Sequence, residues 1–185
     1  MLFLNTMTND RRKEILKEIL AWLKTITLAL LIIFFIKFFI IDLTRIAGSS
    51  MENTLFTDDL VVVEKISTNI THKYKRGDVI IFHSPTENKL YVKRIVALPG
   101  EEVELIDGKF YINENELDEP YYTTGSFTES KGENYWFLTD DEYFMVGDNR
   151  PKSNDSRKFG PVHERNLVGR AFFRIFPFNE MKKLN

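Results

Sequence analysis

Hydrophobic and polar positions change rhythm along this chain. Ile15, Leu16, Ile19, Leu20 and Leu23 recur at helical spacing and predict a short helix over residues 11–23. Residues 25–41 are then apolar except for Thr25, Thr27 and Lys37. That length is close to the minimum that crosses a hydrocarbon core of about 30 Å. Beyond it the pattern becomes strand-like. Short β-branched or aromatic runs at 60–63, 79–82, 90–96, 103–106, 109–112, 143–146 and 170–175 are separated by turn residues. Pro99-Gly100 ends one run, and Asp107-Gly108 between two others is a two-residue hairpin signal. Residues 123–134 are polar and predict a loop. No amphipathic helix and no repeat is expected after the apolar run, so the fold class is all-β, preceded by one N-terminal transmembrane helix.

Charge orients this arrangement. Arg11, Arg12, Lys13, Lys17 and Lys24 all precede the apolar run, and the larger part of the chain follows it. The positive-inside rule then predicts a cytoplasmic segment 1–22, an anchor 23–42 and an extracytoplasmic domain 43–185. Trp22 sits at an interface position, and Lys37 can snorkel to the headgroups. A cleaved leader is the competing reading. Its apolar region would run only about 7–15 residues, and Ile46-Ala47-Gly48 is a poor cleavage site.

Composition narrows the chemistry. The 185 residues carry a net charge of -2, which gives no global basic field for nucleic acid. There is no cysteine, which excludes disulfides, thiolate catalysis and cysteine zinc sites. His72, His83 and His163 stand in polar, turn-like contexts without metal-ligand spacing and are expected on the surface. No glycine-rich phosphate loop occurs, and no GxSxG elbow supports a Ser-His-Asp triad. No cofactor is expected.

Lys93 is the unusual charge. Alternation puts Tyr91, Lys93 and Ile95 on one face of a strand, and Val92, Arg94 and Val96 on the other. One of the two cations must then face the less solvated side. The pattern alone favours an exposed Lys93 over a buried one. A lysine acts as a general base only when neutral, and apolar burial lowers its pKa. A fall to about 8 corresponds to roughly 3 kcal/mol. A second string, Gly147 through Arg157, reads on composition alone as a polar turn.

Together these residues form four boxes in order: 48–55 around Ser50-Met51, 76–82, 91–100 around Lys93-Arg94, and 147–157. At these residues the chain resembles the bacterial type I signal peptidases, membrane-anchored Ser/Lys proteases, in their compact Gram-positive form. The resemblance implies a coiled antiparallel β-sheet catalytic domain of signal-peptidase and LexA-like type. It also implies a Ser50 nucleophile, chosen over Ser49 by the following methionine, and a Lys93 general base. Ser153 matches a hydroxyl that orients the lysine, and Asp155 and Arg157 match a bracing ion pair. Met51, Phe82 and Tyr91 match residues that shield the lysine or line the substrate pocket. The implied partners are exported preproteins with signal peptides, the lipid bilayer and the secretion translocase, with the site at the outer face of the cytoplasmic membrane.

Two departures stand out. Asn53 occupies the usual proline position; asparagine suits turns, so Asn53→Pro is expected to keep activity within about tenfold. Gly48 leaves the Ser50 N–H as the one oxyanion donor that can be named. A self-cleaving repressor is disfavoured by the anchor. A peptidase dedicated to one precursor remains open, and a dead anchored binding protein is disfavoured by the joint presence of Ser50, Lys93 and Ser153.

Overall fold

In a computed structural model, residues 9–120, 127–130 and 132–184 are described, and they divide into two units, Met1–Ile40 and Ile41–Asn185. The predicted loop 123–134 lies partly outside the described residues.

The first unit is one helix, α1 (Asn9–Phe39). The predicted short helix and the apolar run are thus continuous. At 1.5 Å per residue, α1 is about 46 Å long, more than a bilayer core requires. Its apolar side chains are exposed, as in Leu31 and Phe34. The helix stops at Phe39, so Ile41, apolar enough to extend the run, already belongs to a strand.

The second unit is antiparallel β structure. Its strands are β1 (Ile41–Arg45), β2 (Leu60–Glu64), β3 (Val79–His83), β4 (Leu90–Ala97), β5 (Glu102–Ile106), β6 (Lys109–Ile112), β7 (Asn115–Glu116), β8 (Tyr135–Phe137), β9 (Glu142–Val146), β10 (Val162–His163), β11 (Leu167–Phe176) and β12 (Lys182–Lys183). A single turn of helix, α2 (Ser156–Phe159), lies between β9 and β10. The large sheet runs β1-β2-β11-β3-β4-β9-β10, with β12 added to β11. The small sheet runs β7-β6-β5-β8, and Asp107-Gly108 makes the β5–β6 hairpin, with Ile106 opposite Lys109. The all-β expectation therefore holds.

Strand β4 is central. It pairs with β3 along residues 90–94 and with β9 from Arg94 onward. Ile80 and Phe82 of β3 lie opposite Lys93 and Tyr91, and this face meets a core containing Tyr74, Ile95, Tyr143 and Met145. Val79 and Ile81 lie opposite Arg94 and Val92, and that face meets a core of Met51, Leu55, Val63 and Ala171. Both faces of β4 are covered. Lys93 and Arg94 are consequently both buried, at 3% and 4% exposure, which corrects the expectation that one of them faces solvent. Each fully buried side chain such as Phe82 contributes about 1.5–3 kcal/mol from burial. Those contributions hold β4 in place against the cost of its two charges.

Candidate active site

Ser50 lies in the irregular segment between β1 and β2. Gly48, at φ 95°, turns the chain there. Met51 O accepts from Thr54 N at 3.0 Å and from Leu55 N at 2.8 Å. Asn53 is the third residue of the turn 51–54 and has φ 93°, the geometry of a type II turn. Proline is fixed near φ -65° and does not fit there. On that geometry Asn53→Pro is expected to be costly rather than mild. Met51 is buried at 1% exposure and anchors the turn in the core beneath β2 and β3.

Lys93 reaches the same point from β4. Its Nζ lies 2.7 Å from Ser50 Oγ and 2.9 Å from Val92 O. Burial is the main cause that pushes the Lys93 pKa down to about 8. Asp155 and Asp148 pull it back up, and Arg157 adds a smaller push down. The Tyr91 ring lies beneath the amine, 5.1 Å from Nζ to centroid. Tyr91 OH accepts from Asn154 Nδ2 at 3.1 Å and donates to Glu87 Oε1 at 3.0 Å, which fixes the ring. Phe82 meets Tyr91 edge-on, with centroids 6.1 Å apart. It supports the ring from behind and does not line the groove.

The segment 147–157 closes the other side. Asn149 N donates to Ser50 O at 3.0 Å. The Asp155 carboxylate accepts from Arg157 Nε and the second terminal nitrogen, both at 2.8 Å, and from Gly147 N at 3.1 Å. Asp155 also caps α2 by accepting from Arg157 N. A Cβ at Gly147 would stand 2.3 Å from Ser153 Oγ and 2.5 Å from Ser50 O, so the approach of the two segments requires glycine. Ser153 differs from expectation. Its Oγ is buried at this contact but has no hydrogen-bond partner among the described residues. The Lys93 amine is directed instead to Ser50 Oγ and Val92 O.

Two buried clusters draw on residues that the sequence placed in the boxes at 91–100 and 147–157, without indicating how they pair. Arg94 grips Asp148 with two hydrogen bonds, Nε to Oδ1 at 2.9 Å and a terminal nitrogen to Oδ2 at 2.6 Å. It also donates to Gly77 O at 2.7 Å. Thr54 Oγ1 donates to Asp148 and accepts from Arg94 at 3.1 Å, which ties the Ser50 turn to both neighbouring segments. Arg150 is paired with Glu119 and Thr128. The histidines behave largely as expected. His72 and His83 are exposed, while His163 is half-buried with Nε2 2.7 Å from Asp141.

Ser50 and Lys93 open onto a groove of about 720 Å³. Residues 44–51 form one wall and residues 89–93 the other, with Met51 and Tyr91 among the lining. Strand β4 pairs with β9 only from Arg94 onward, so residues 90–93 present an unpaired strand edge to the groove.

Residues 19–176 match the family described as signal peptidase, peptidase S26. The chain belongs to that family. This signal peptidase is 35% identical over 181 residues to signal peptidase IB of Staphylococcus aureus (strain COL), covering 90% of this chain and 94% of that one. It is 31% identical over 191 residues to signal peptidase I of Bacillus licheniformis, covering 96% and 99%. A crystal structure of a signal peptidase I from Enterococcus faecalis V583 is 37% identical, covers 53% of this chain and 96% of that chain, and superposes with a TM-score of 0.46. Family membership makes the chain a serine peptidase of signal-peptide removal, and the apolar N-terminal helix is consistent with a membrane-anchored enzyme.

Proposed function

We propose that this signal peptidase cleaves exported preproteins with Ser50 as nucleophile and Lys93 as general base. The observation that carries this reading is the 2.7 Å approach of Nζ to Oγ at a lysine whose pKa is pushed down to about 8 by burial. A lysine in that range is partly neutral near physiological pH. Its lone pair accepts the Ser50 hydroxyl proton as Oγ bonds to the scissile carbonyl carbon. The Ser50 N–H stabilises the oxyanion that forms. The Lys93 ammonium then protonates the leaving amine as the C–N bond breaks. A water molecule next attacks the acyl ester and gives a proton to Lys93, which returns it to Ser50 Oγ as the ester C–O bond breaks.

The unpaired edge at residues 90–93 supports docking of the precursor as an added strand, with backbone hydrogen bonds for affinity and wall side chains for selection. Family resemblance supports small residues, typically alanine, at the first and third positions before the cut. Ser153, Asp155 and Arg157 keep a supporting role through Gly147 and α2. The proposed topology has residues 1–22 in the cytoplasm, the anchor at 23–42, and the domain 43–185 outside the membrane, where precursors arrive from the secretion translocase.

The test is incubation with a preprotein and mass spectrometry of the products. Wild type is expected to cut at the end of the signal peptide. Ser50→Ala and Lys93→Ala are each expected to be inactive, and Ser49→Ala to retain most activity. An inactive Ser49→Ala beside an active Ser50→Ala would overturn the assignment.

A further inference from the structure

The charge along the groove is one-sided. Arg45, Lys89 and Lys152 line it together with Lys93, and no aspartate or glutamate among the described residues does. The carboxylates that neutralise these cations stand outside the lining. Asp58 lies 3.4 Å from Arg45, Glu87 2.8 Å from Lys89, and Glu52 3.3 Å from Lys152. All three cations are more than half exposed, at 63%, 70% and 63%, so these pairs are weak and exchangeable. The asymmetry is local, because the chain as a whole is slightly acidic at -2. Residues 101–142, which include the small sheet, hold thirteen carboxylates against two lysines, and none of them lines the groove. The domain therefore carries separate acidic and basic regions, and its peptide-sized cleft belongs to the basic one.

Position along the groove follows from strand geometry. Lys89 precedes Lys93 by four residues, or about 13 Å at roughly 3.3 Å per residue. Arg45 precedes Ser50 by five, at most about 17 Å. Along the chain, both therefore stand several residues before the Ser50–Lys93 pair. Lys152 bonds Glu52, in the nucleophile turn, and so stands beside the cut.

We propose that Arg45, Lys89 and Lys152 make this groove select precursors with carboxylate side chains near the cut. Arg45 and Lys89 read positions about four to six residues from it, and Lys152 reads the positions next to it. A carboxylate four or more extended residues from the cut, about 13 Å away, lies beyond a Debye length of about 8 Å at physiological salt and does not reprotonate the base. A carboxylate also raises the encounter rate with a basic cleft, an effect that salt weakens. A lysine at the same position meets two like charges and is disfavoured.

The inference rests on the peptidase reading, and its test separates the two. Full-length enzyme in neutral detergent micelles is given matched peptides with Glu, Gln or Lys walked along the positions flanking one cut site. At low salt, Glu four to six residues from the cut is expected to raise kcat/KM roughly three- to tenfold over Gln, and Lys to lower it similarly. The Glu-to-Gln ratio should fall toward one in the Arg45→Gln, Lys89→Gln double variant and at high salt. Lys152→Gln should flatten only the positions beside the cut. Equal cleavage of the Glu, Gln and Lys peptides would sink the charge inference and leave the peptidase reading intact. A ratio that survives the double variant would sink it too. Cleavage of no peptide would count against the peptidase reading. Kd values of the same peptides for the Ser50→Ala variant then decide the charge order independently of turnover.

Discussion

Lys93 is the one buried lysine with a lowered pKa among the described residues, so replacing it by methionine should change stability in a pH-dependent way. In the folded chain Lys93 titrates at about 8, against a usual 10.5. Between these values the unfolded chain holds a proton that the folded chain has lost, so wild-type stability rises with pH across that window. Below about 8 both states are protonated and the folded state carries the full cost of a buried ammonium, about 3 kcal/mol at 1.36 kcal/mol per unit. Above about 10.5 both states are neutral and that cost is gone. Lys93→Met carries no such cost at any pH. The substitution also leaves Val92 O and Ser50 Oγ without their partner, which costs about 1–3 kcal/mol but does not depend on pH. The diagnostic is therefore the change in the stability difference and not its absolute size. Urea unfolding in detergent micelles, followed by tryptophan fluorescence at several pH values between about 6 and 10, measures it. The advantage of Lys93→Met over wild type should be greatest and constant below about pH 8, and shrink by about 2 kcal/mol or more by pH 10. A constant difference across the range would mean that Lys93 titrates normally and would remove the physical basis for a lysine base. The activity profile has the same origin. The wild-type kcat/KM should rise about tenfold per pH unit below about 8 and flatten above it.

Three further substitutions probe how the site is held. Gly147→Ala sets a methyl group 2.3 Å from Ser153 Oγ and 2.5 Å from Ser50 O. It should lower kcat by roughly a hundredfold or more, since misplacement by about 1 Å carries that penalty; near-normal kcat would show that the two segments separate easily. Asn53→Pro should cost more than about 2 kcal/mol and most activity because Asn53 has φ 93°, while Asn53→Gly, which keeps that φ without strain, should cost less. Thermal unfolding and turnover compare the two, and equal behaviour would refute the turn assignment. Thr54→Val removes the hydroxyl shared by Asp148 and Arg94 and should reduce kcat more than it changes KM, with Thr54→Ser restoring it. A fall confined to KM would place Thr54 in substrate binding instead.

The sequence exposed some parts of this structure and hid others for identifiable reasons. The helix and most long strands were legible because their apolar periods are strong and glycine, proline and asparagine punctuate them. Strand β1 was hidden because Ile41 continues the apolar run, and β8 because Tyr135-Trp136-Phe137 is only three residues long after a polar stretch. Lys93 was legible as a charge in an apolar strand. Its burial was not, because alternation assumes one solvated face, whereas β4 lies between two paired strands with cores on both sides. The clamp of Thr54, Arg94 and Asp148 spans ninety-four residues between its ends and leaves no local pattern. Ser50 stood out from Ser49 only through Met51, and the burial of Met51 supplies the reason. That side chain fastens the turn to the core and leaves the residue before it at the groove.

The hydrogen bonds around Ser50 join stretches of chain that are remote in sequence. Lys93 arrives from 43 residues away, Asp148 meets Thr54 across 94, and Asn149 meets Glu52 across 97. Contacts of that range form late, because long loops must close before they are rewarded. No short fragment of the domain contains both Ser50 and all that orients it. A chain under synthesis has Ser50 early and the brace at residues 147–157 nearly last. On the proposed mechanism, proteolytic competence is thus withheld until the sheet is complete, so the half-folded chain poses no threat to the unfolded polypeptides around it.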